Sequence, residues 1–389
     1  MKDNWIWLPK SIYPENQNTR FDALSGAPNN TYAVAEFKRI YEFEKIIKTV
    51  KIRFSGDTAV QLFCNGQFVA TGPAVVGGDF LGNGKAREWY YATETEYVTE
   101  GATLDFFARV RMMPVQICEY SKGHGGFMLS ATVVFEDGSA QNITTDESWL
   151  VRRNGSYVGA TEFDGTVNPD PYVNAEATED IWHAETAPIP PRTESEITAG
   201  VITLEAGEER EETLPLDMIY AGFLHAKADT DGCVSAEVFF HEIVEERCSK
   251  ETVKLTRNSE YRGFHLHSAG NIRVKIKNLS DTASTVTVGF ITTCYPVTAD
   301  ATTVTGDEAL DRVLSVCKHT LKYCRQTHHL DSPRHCEPLA CTGDYYIESL
   351  MTAFSFGDQR LSEFDVLRTA ELLAITTEEC SIRRTASSG

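Results

Sequence analysis

The sequence has no long apolar run. Its 389 residues contain no stretch near the roughly 18 apolar residues that a membrane helix needs. Near the start, polar residues follow Met1, and the apolar run from Trp5 to Pro9 is far too short for the core of a signal peptide. We therefore expect a protein that is made and kept in the cytoplasm, without a membrane partner.

Positive charge is also scarce. The chain has 36 Lys and Arg residues against 56 Asp and Glu residues, which gives a formal net charge of -20. Such a field repels a phosphate backbone, so nucleic acid is not an expected partner. A neutral ligand such as a sugar fits this charge better. The alternative is that the acidic surface serves only to keep the protein in solution.

Closely spaced cysteine pairs are missing as well. The ten cysteines are scattered, and some of them, such as Cys64, lie in apolar runs. We expect them to be reduced and buried. His328 and His329 adjoin no cysteine pair with the spacing of a zinc site. The sequence therefore predicts neither a metal nor another cofactor.

Short strand patterns dominate residues 32–168. The runs at 60–63 and 67–70 flank Asn65-Gly66, the strongest short signal for a hairpin. Similar runs occur at 104–108 and at 131–135, and Asp137-Gly138 follows the latter. We predict an antiparallel β-sandwich or jelly roll over 32–168, with residues 1–31 as an N-terminal segment that packs on it.

A second β-rich region follows a connector. Residues 169–197 contain five prolines, which cannot lie in central strands. Residues 198–298 then alternate apolar and polar side chains, for example at 234–240, 271–277 and 285–291. Period-two alternation indicates strands with one buried face, so we predict a second antiparallel sandwich.

The hydrophobic period changes after Pro296. Apolar residues at 310, 313, 314, 317, 321 and 324 are three and four residues apart, which predicts an amphipathic helix with Asp307 as its cap. Two further helix faces occur at 347–354 and 361–373. Three short helices are too few to close a large core. We therefore expect an incomplete helical domain over 299–380 and a disordered tail over 381–389.

The segment between the first two predicted helices is rich in reactive side chains. Residues 328–344 contain Asp331, Glu337 and Asp344 together with three histidines and one arginine. Pro333 and Pro338 restrict the backbone around Glu337. Sugar hydrolysis needs a carboxylic acid that protonates the departing oxygen and a second carboxylate that activates water or attacks. The segment is a candidate for that chemistry.

Each of these acidic residues also has a simpler interpretation. Asp344 could cap the second helix. Asp331 could form a turn with the proline two residues later. Glu337 could pair with Arg334 or Lys322 in a surface ion pair of little energetic weight.

The spacing of these residues resembles the catalytic signature of bacterial α-L-rhamnosidases, glycoside hydrolase family 78. The usual family form is roughly Asp-Cys-Pro-x-Arg-Glu-Lys-Leu-Gly-Trp-Thr-Gly-Asp. The spacing from Glu337 to Asp344 matches that form, and the spacing from Asp331 to Glu337 is one residue longer. Cys336 and Cys341 replace the usual Arg and Trp.

The resemblance extends over nearly the whole chain. Residues 5–7, 64–73, 135–139 and 145–149 are similar to the family's N-terminal sandwich, which resembles galactose-binding modules. Residues 295–326 resemble the entry into the family's helical barrel. The resemblance implies a multi-domain, mainly β fold with two antiparallel sandwiches, followed by the first helices of an (α/α)6 barrel.

The resemblance also implies roles for individual residues. Glu337 would be the general acid in an inverting hydrolysis of terminal α-L-rhamnosides, and Asp331 and Asp344 would bind the sugar. Arg334 and His335 would form hydrogen bonds with sugar hydroxyls. The family's general base is a glutamate farther downstream than this sequence extends. We therefore expect the isolated chain to hydrolyse its substrate poorly or not at all.

Two other functions remain open at this point. The chain could be a carbohydrate-binding protein that uses a sandwich face without catalysis, or a purely structural fragment. The apolar faces of the three helices could also associate between copies of the chain as a homo-oligomer.

Overall fold

The computed structural model describes residues 4–13, 32–75, 89–113, 125–178, 183–243, 248–299, 304–333 and 342–370. Within these residues the chain is mainly β, and its helices follow the last strand. The predicted fold class, a mainly β protein of several modules followed by helices, is confirmed. The domain boundaries remain predictions, and the predicted tail at 381–389 lies outside the described residues.

Residues 6–186 of the described part contribute two sheets, which build the first β module. Its strands are β1 (Ile6–Trp7), β2 (Ala33–Glu42), β3 (Ile47–Asp57), β4 (Ala59–Cys64), β5 (Gln67–Gly72), β6 (Trp89–Tyr97), β7 (Thr103–Met112), β8 (Gly126–Phe135), β9 (Ala140–Thr144), β10 (Leu150–Arg153), β13 (Val173–Asn174), β14 (Glu176–Ala177) and β15 (His183–Thr186). Between β10 and β13 the chain also forms β11 (Tyr157–Gly159) and β12 (Glu162–Asp164), which belong to the sheet of the second module. One sheet has the order β14-β1-β8-β3-β6-β15, with β9 beside β8, and the other has the order β13-β10-β2-β7-β4-β5.

A single apolar core lies between these two sheets. Phe54 and Phe127 come from one sheet, Phe37 and Phe106 come from the other, and all are fully buried. The ring centroids of Phe37 and Phe127 are 5.0 Å apart. Each such side chain stabilises the fold by roughly 1.5–3 kcal/mol through the apolar area that it removes from water.

The predicted hairpin at Asn65-Gly66 is confirmed. Asn65 has a φ of 51° and Gly66 a φ of 74°, the left-handed conformations that a two-residue hairpin turn requires. The Asn65 side chain accepts a hydrogen bond from the Asp105 backbone N–H at 2.8 Å. The turn is thereby fixed to the neighbouring strand β7.

The second β module is built on one sheet of nine strands. Its own strands are β16 (Thr193–Leu204), β17 (Glu209–Asp229), β18 (Val234–His241), β19 (Ser249–Leu255), β20 (Glu260–Arg262), β21 (His267–Asn278) and β22 (Ser284–Cys294). The order is β11-β12-β19-β18-β21-β17-β22-β16, with β20 beside β17. Strand β12 of the hairpin β11–β12 pairs with β19 in parallel. The ring centroids of Phe163 and Tyr261 are 4.9 Å apart in the apolar core of the second module.

The predicted helices are present. They are α1 (Glu308–Cys324), α2 (Thr342–Phe356) and a third helical segment over residues 360–370. The Asp307 carboxylate caps α1 as predicted, because it accepts hydrogen bonds from the backbone N–H groups of Ala309 and Leu310. None of the helices in the described ranges has both the length and the apolarity needed to cross a membrane.

The apolar faces of these helices are largely exposed, which the periodicity did not indicate. The exposed apolar residues are Leu310, Val313, Leu314, Ile347, Leu350, Met351, Phe354 and Leu367. Nε2 of His319, in the second half of α1, lies 2.7 Å from the Ile219 carbonyl oxygen of β17, and Tyr323 packs against Tyr220 of the same strand. Phe364 packs edge-on against Tyr91 of the first module at 4.8 Å between centroids. This contact joins the third helical segment to the first module.

Candidate active site

The structure locates two of the five predicted site residues. Asp331 follows the turn after α1 and has an exposed side chain, and Asp344 lies in the first turn of α2 and is partly buried. Asp344 lies inside the helix, so the interpretation as its cap is wrong, although a negative charge in the first turn favours the helix dipole. Glu337, Arg334 and His335 lie outside the described residues.

The backbone before Asp331 is a tightly bonded turn. The Leu330 N–H donates to the Cys324 carbonyl at 2.9 Å. The Gln326 side chain donates to the Thr293 carbonyl of β22 at 2.7 Å and accepts from the Arg192 guanidinium at 3.2 Å. The turn is therefore fixed to the second β module and not only to α1.

Arg325 belongs to the same turn and is held by two aromatic rings. Its guanidinium is fully buried, lies 4.8 Å from the Tyr295 ring centroid and 4.5 Å from the Phe356 ring centroid, and has no hydrogen-bond partner among the residues that the structure describes. Interaction of the cation with the two ring faces offsets part of the cost of removing its charge from water. Burial lowers the pKa of Arg325.

His329 connects this turn to the other helices. Its Nδ1 lies 2.7 Å from Oδ2 of Asp365, and its Nε2 lies 2.9 Å from the Thr352 hydroxyl on α2. All three side chains are buried. When Nδ1 donates to the carboxylate, a neutral ring accepts the hydroxyl hydrogen at Nε2, so each polar atom has a partner.

A buried ion pair completes this network. The Arg368 guanidinium donates to Asp365 Oδ1 at 3.1 Å, to the Tyr345 hydroxyl at 2.8 Å and to the Val75 carbonyl of the first module at 2.9 Å. The Val75 N–H in turn donates to the Thr327 hydroxyl at 3.3 Å. The network joins four parts of the chain: the turn before Asp331, the helix α2 that contains Asp344, the third helical segment and the first β module.

A further carboxyl group, that of Glu348, lies among the acidic residues of the site. Glu348 is one turn after Asp344 on α2, and its side chain is buried. Burial first, and then the carboxylates of Asp344, Asp365 and Asp331, raise the pKa of Glu348 to about 8. Among the described residues, Oε2 of Glu348 has no hydrogen-bond partner. Glu348 therefore keeps its proton to a higher pH than an exposed glutamate does.

The arrangement suits a polar, uncharged ligand. Carboxylates accept hydrogen bonds from hydroxyl groups, and the acidic side chains here come from both ends of the segment that contains Glu337. Among the residues that the structure describes, no group of three or more His, Cys, Asp or Glu side chains could hold a metal ion.

Sequence reasoning missed most of the residues that support this site. Glu348 had one local signal, its spacing of four residues from Asp344, which places both on one helix face. Asp365 had none, because its bond to His329 spans 36 residues of sequence. The same is true of Arg368, whose bond to Val75 connects the helices to a strand end in the first module.

Comparison with known proteins gives matches in structure alone. No known protein family and no curated protein match the sequence. The α-L-rhamnosidase from Dictyoglumus thermophilum is 15% identical, with a TM-score of 0.59 over 91% of this chain and 42% of that one. The GH78 family rhamnosidase of Bacillus sp. GL1 is 11% identical, with a TM-score of 0.68 over 93% of this chain and 62% of that one.

A third enzyme shows the same likeness. The Streptomyces avermitilis α-L-rhamnosidase, whose structure contains L-rhamnose, is 14% identical, with a TM-score of 0.61 over 86% of this chain and 36% of that one. The chain thus spans between 36% and 62% of the length of these three structures. The expected resemblance to α-L-rhamnosidases of glycoside hydrolase family 78 is confirmed at the level of the fold.

Proposed function

We propose that this protein is a glycoside hydrolase that cleaves terminal α-L-rhamnosides with inversion. Glu337 is the general acid, Asp331 and Asp344 bind the sugar, and Arg334 and His335 form hydrogen bonds with its hydroxyls. The observation that carries the proposal is the buried network of His329, Asp365 and Arg368. It fixes the two ends of the segment that contains Glu337 within a fold similar to that of the rhamnosidases.

The proposed chemistry is a single displacement. Glu337 gives its proton to the departing glycosidic oxygen while a water molecule attacks the anomeric carbon from the opposite face. Inversion also needs a carboxylate base about 6.5–9.5 Å from the acid, with the water between them. Asp331 and Asp344 are proposed as ligands of the sugar hydroxyls and not as that base.

The dependence of rate on the leaving group tests the role of Glu337. Aryl α-L-rhamnosides with phenols of low and high pKa are compared with wild-type protein and with Glu337→Gln. A missing general acid slows substrates with poor leaving groups by about 10²–10⁴-fold and changes substrates with good leaving groups much less. Glu363→Gln, an exposed position on the third helical segment, is the matched control.

Sugar binding, measured by calorimetry on the same preparations, separates the possible outcomes. Turnover that Glu337→Gln abolishes for poor leaving groups supports the proposal. L-Rhamnose binding that occurs without turnover and that Asp344→Asn leaves unchanged supports the alternative of a non-catalytic carbohydrate-binding protein that uses a sandwich face. Absence of both binding and turnover contradicts a carbohydrate function.

A further inference from the structure

Glu348 occupies a position that is unfavourable for a carboxyl group. Its side chain is only 7% exposed, and Oε2 is buried without a hydrogen-bond partner in the described part of the chain. Burial of an unpaired polar atom costs free energy. Asp344 lies one turn earlier on the same helix face, and like charges at this spacing destabilise a helix. An apolar residue at this position would therefore stabilise the fold more than Glu348 does.

Among the described residues, the charges that act on Glu348 are those of Asp344 of α2, Asp365 of the third helical segment and Asp331 of the turn, and Glu348 in turn acts on Cys324 at the end of α1. The hydrogen-bonded network beside them adds His329, Tyr345 and Arg368. The single arginine among them is bound to Asp365 and Tyr345. No cation in this group therefore compensates a charge on Glu348.

We propose that Glu348 is a positioning residue of the acidic site, where its neutral carboxyl group allows Asp331 and Asp344 to stand close together at a bound sugar. When Glu348 loses its proton to solvent, the site gains one negative charge and sugar binding weakens. The inference rests on the proposed function and adds an upper pH limit to it.

The physical basis is repulsion between nearby carboxylates in a partly buried site. In such surroundings the interaction between charges is several times stronger than in water. The acidic side chains then either separate or take up protons, and either response disturbs the hydrogen bonds to the sugar hydroxyls. If the sugar binds only when Glu348 is protonated, its Kd rises about tenfold for each pH unit above the pKa.

Calorimetric titration of L-rhamnose between pH 6 and pH 9.5 tests the proposal. For wild-type protein we expect a nearly constant Kd up to neutral pH and about a fivefold increase from pH 8 to pH 9, because the pKa of Glu348 is about 8. Glu348→Gln keeps the size and the neutral state of the side chain, so its Kd remains constant over the whole range. Glu363→Gln, exposed on the third segment, follows wild type.

Two results overturn the inference. One is an alkaline loss of binding that persists in Glu348→Gln, and the other is a wild-type Kd that is constant to pH 9.5. Both differ from failure of the proposed function, in which neither wild type nor the variants bind the sugar at any pH.

Thermal unfolding without sugar gives an independent readout. The pKa of Glu348 is raised from 4.5 to about 8 in the folded chain, so its protonated state supports folding fully below pH 4.5 and loses that effect as the pH rises toward 8. Between pH 5 and pH 8 the Tm of wild type should therefore fall more than the Tm of Glu348→Gln. Equal slopes for the two proteins contradict the inference whether or not sugar binds.

Discussion

At the scale of single residues, Asp365 holds the turn before Asp331 in place. Its carboxylate accepts from Arg368 through one oxygen and lies 2.7 Å from His329 Nδ1 through the other, and all three side chains are buried. Through its bonds to His329, the Asp365 carboxylate fixes the turn that precedes Asp331. We therefore expect Asp365 to influence the site through structure.

Replacement of Asp365 by asparagine tests this role. The change leaves the buried Arg368 guanidinium without its ion-pair partner, and loss of one partner of such a pair typically costs about 3–5 kcal/mol. Urea unfolding of Asp365→Asn should show a loss of this size, whereas Glu363→Gln should change stability by less than about 0.5 kcal/mol. A loss below about 1 kcal/mol in Asp365→Asn would show that the network does not hold the helices.

At the scale of elements, the strands and helices follow local sequence patterns, but the burial of the helices does not. Alternation predicted strands such as β18 and β21, and Asn65-Gly66 predicted a hairpin, because both depend on neighbours in sequence. The three- and four-residue spacing predicted α1 and its cap. That spacing defines an apolar face without defining its partner, which is why the exposure of α1 and α2 could not be predicted.

The candidate site shows the same limit. The ends of the acidic segment, Asp331 and Asp344, were found because their spacing in sequence matches a known signature. Glu348 and Asp365 were missed because their significance depends on burial and on contacts between separate helices. Contacts between residues far apart in sequence have no local pattern that a single sequence can display.

A matched pair of substitutions tests the packing of the helical elements. Leu361 is fully buried against the first module, and Phe354 on α2 is 81% exposed. Leu361→Ala should cost about 2–5 kcal/mol because it leaves a cavity. Phe354→Ser should change stability by about 0.5 kcal/mol or less, because the ring is largely in water already. Guanidinium unfolding measures both values, and equal losses would contradict the described packing.

At the scale of the whole molecule, the two β modules meet through apolar and polar side chains, and Val34 of the first module packs in the apolar core of the second. Arg262 of the second module forms an ion pair with Glu194, whose other oxygen accepts from the Thr71 hydroxyl of the first module at 2.5 Å. The same guanidinium lies 4.6 Å from the Phe68 ring centroid of the first module. Because the helices contact both modules, the interface between the modules also affects the position of the helices that carry the candidate site.

Removal of the Arg262 charge tests the interface. Arg262→Met leaves the buried Glu194 carboxylate without its cation, so we expect a loss of about 3 kcal/mol. The double variant Arg262→Met with Glu194→Gln removes both charges and should recover most of the loss. Thermal unfolding measures the three proteins, and losses that simply add in the double variant would show that the two residues do not interact.

The location of carbohydrate binding is the central claim, and NMR titration with L-rhamnose tests it most directly. We predict that backbone amide shifts concentrate at residues 327–333 and 342–348, around Asp331, Asp344 and Glu348. Asp344→Asn should weaken these changes. Shifts confined to the β modules, or no shifts at millimolar sugar, would contradict the assignment of Asp331, Asp344 and Glu348 to the sugar site.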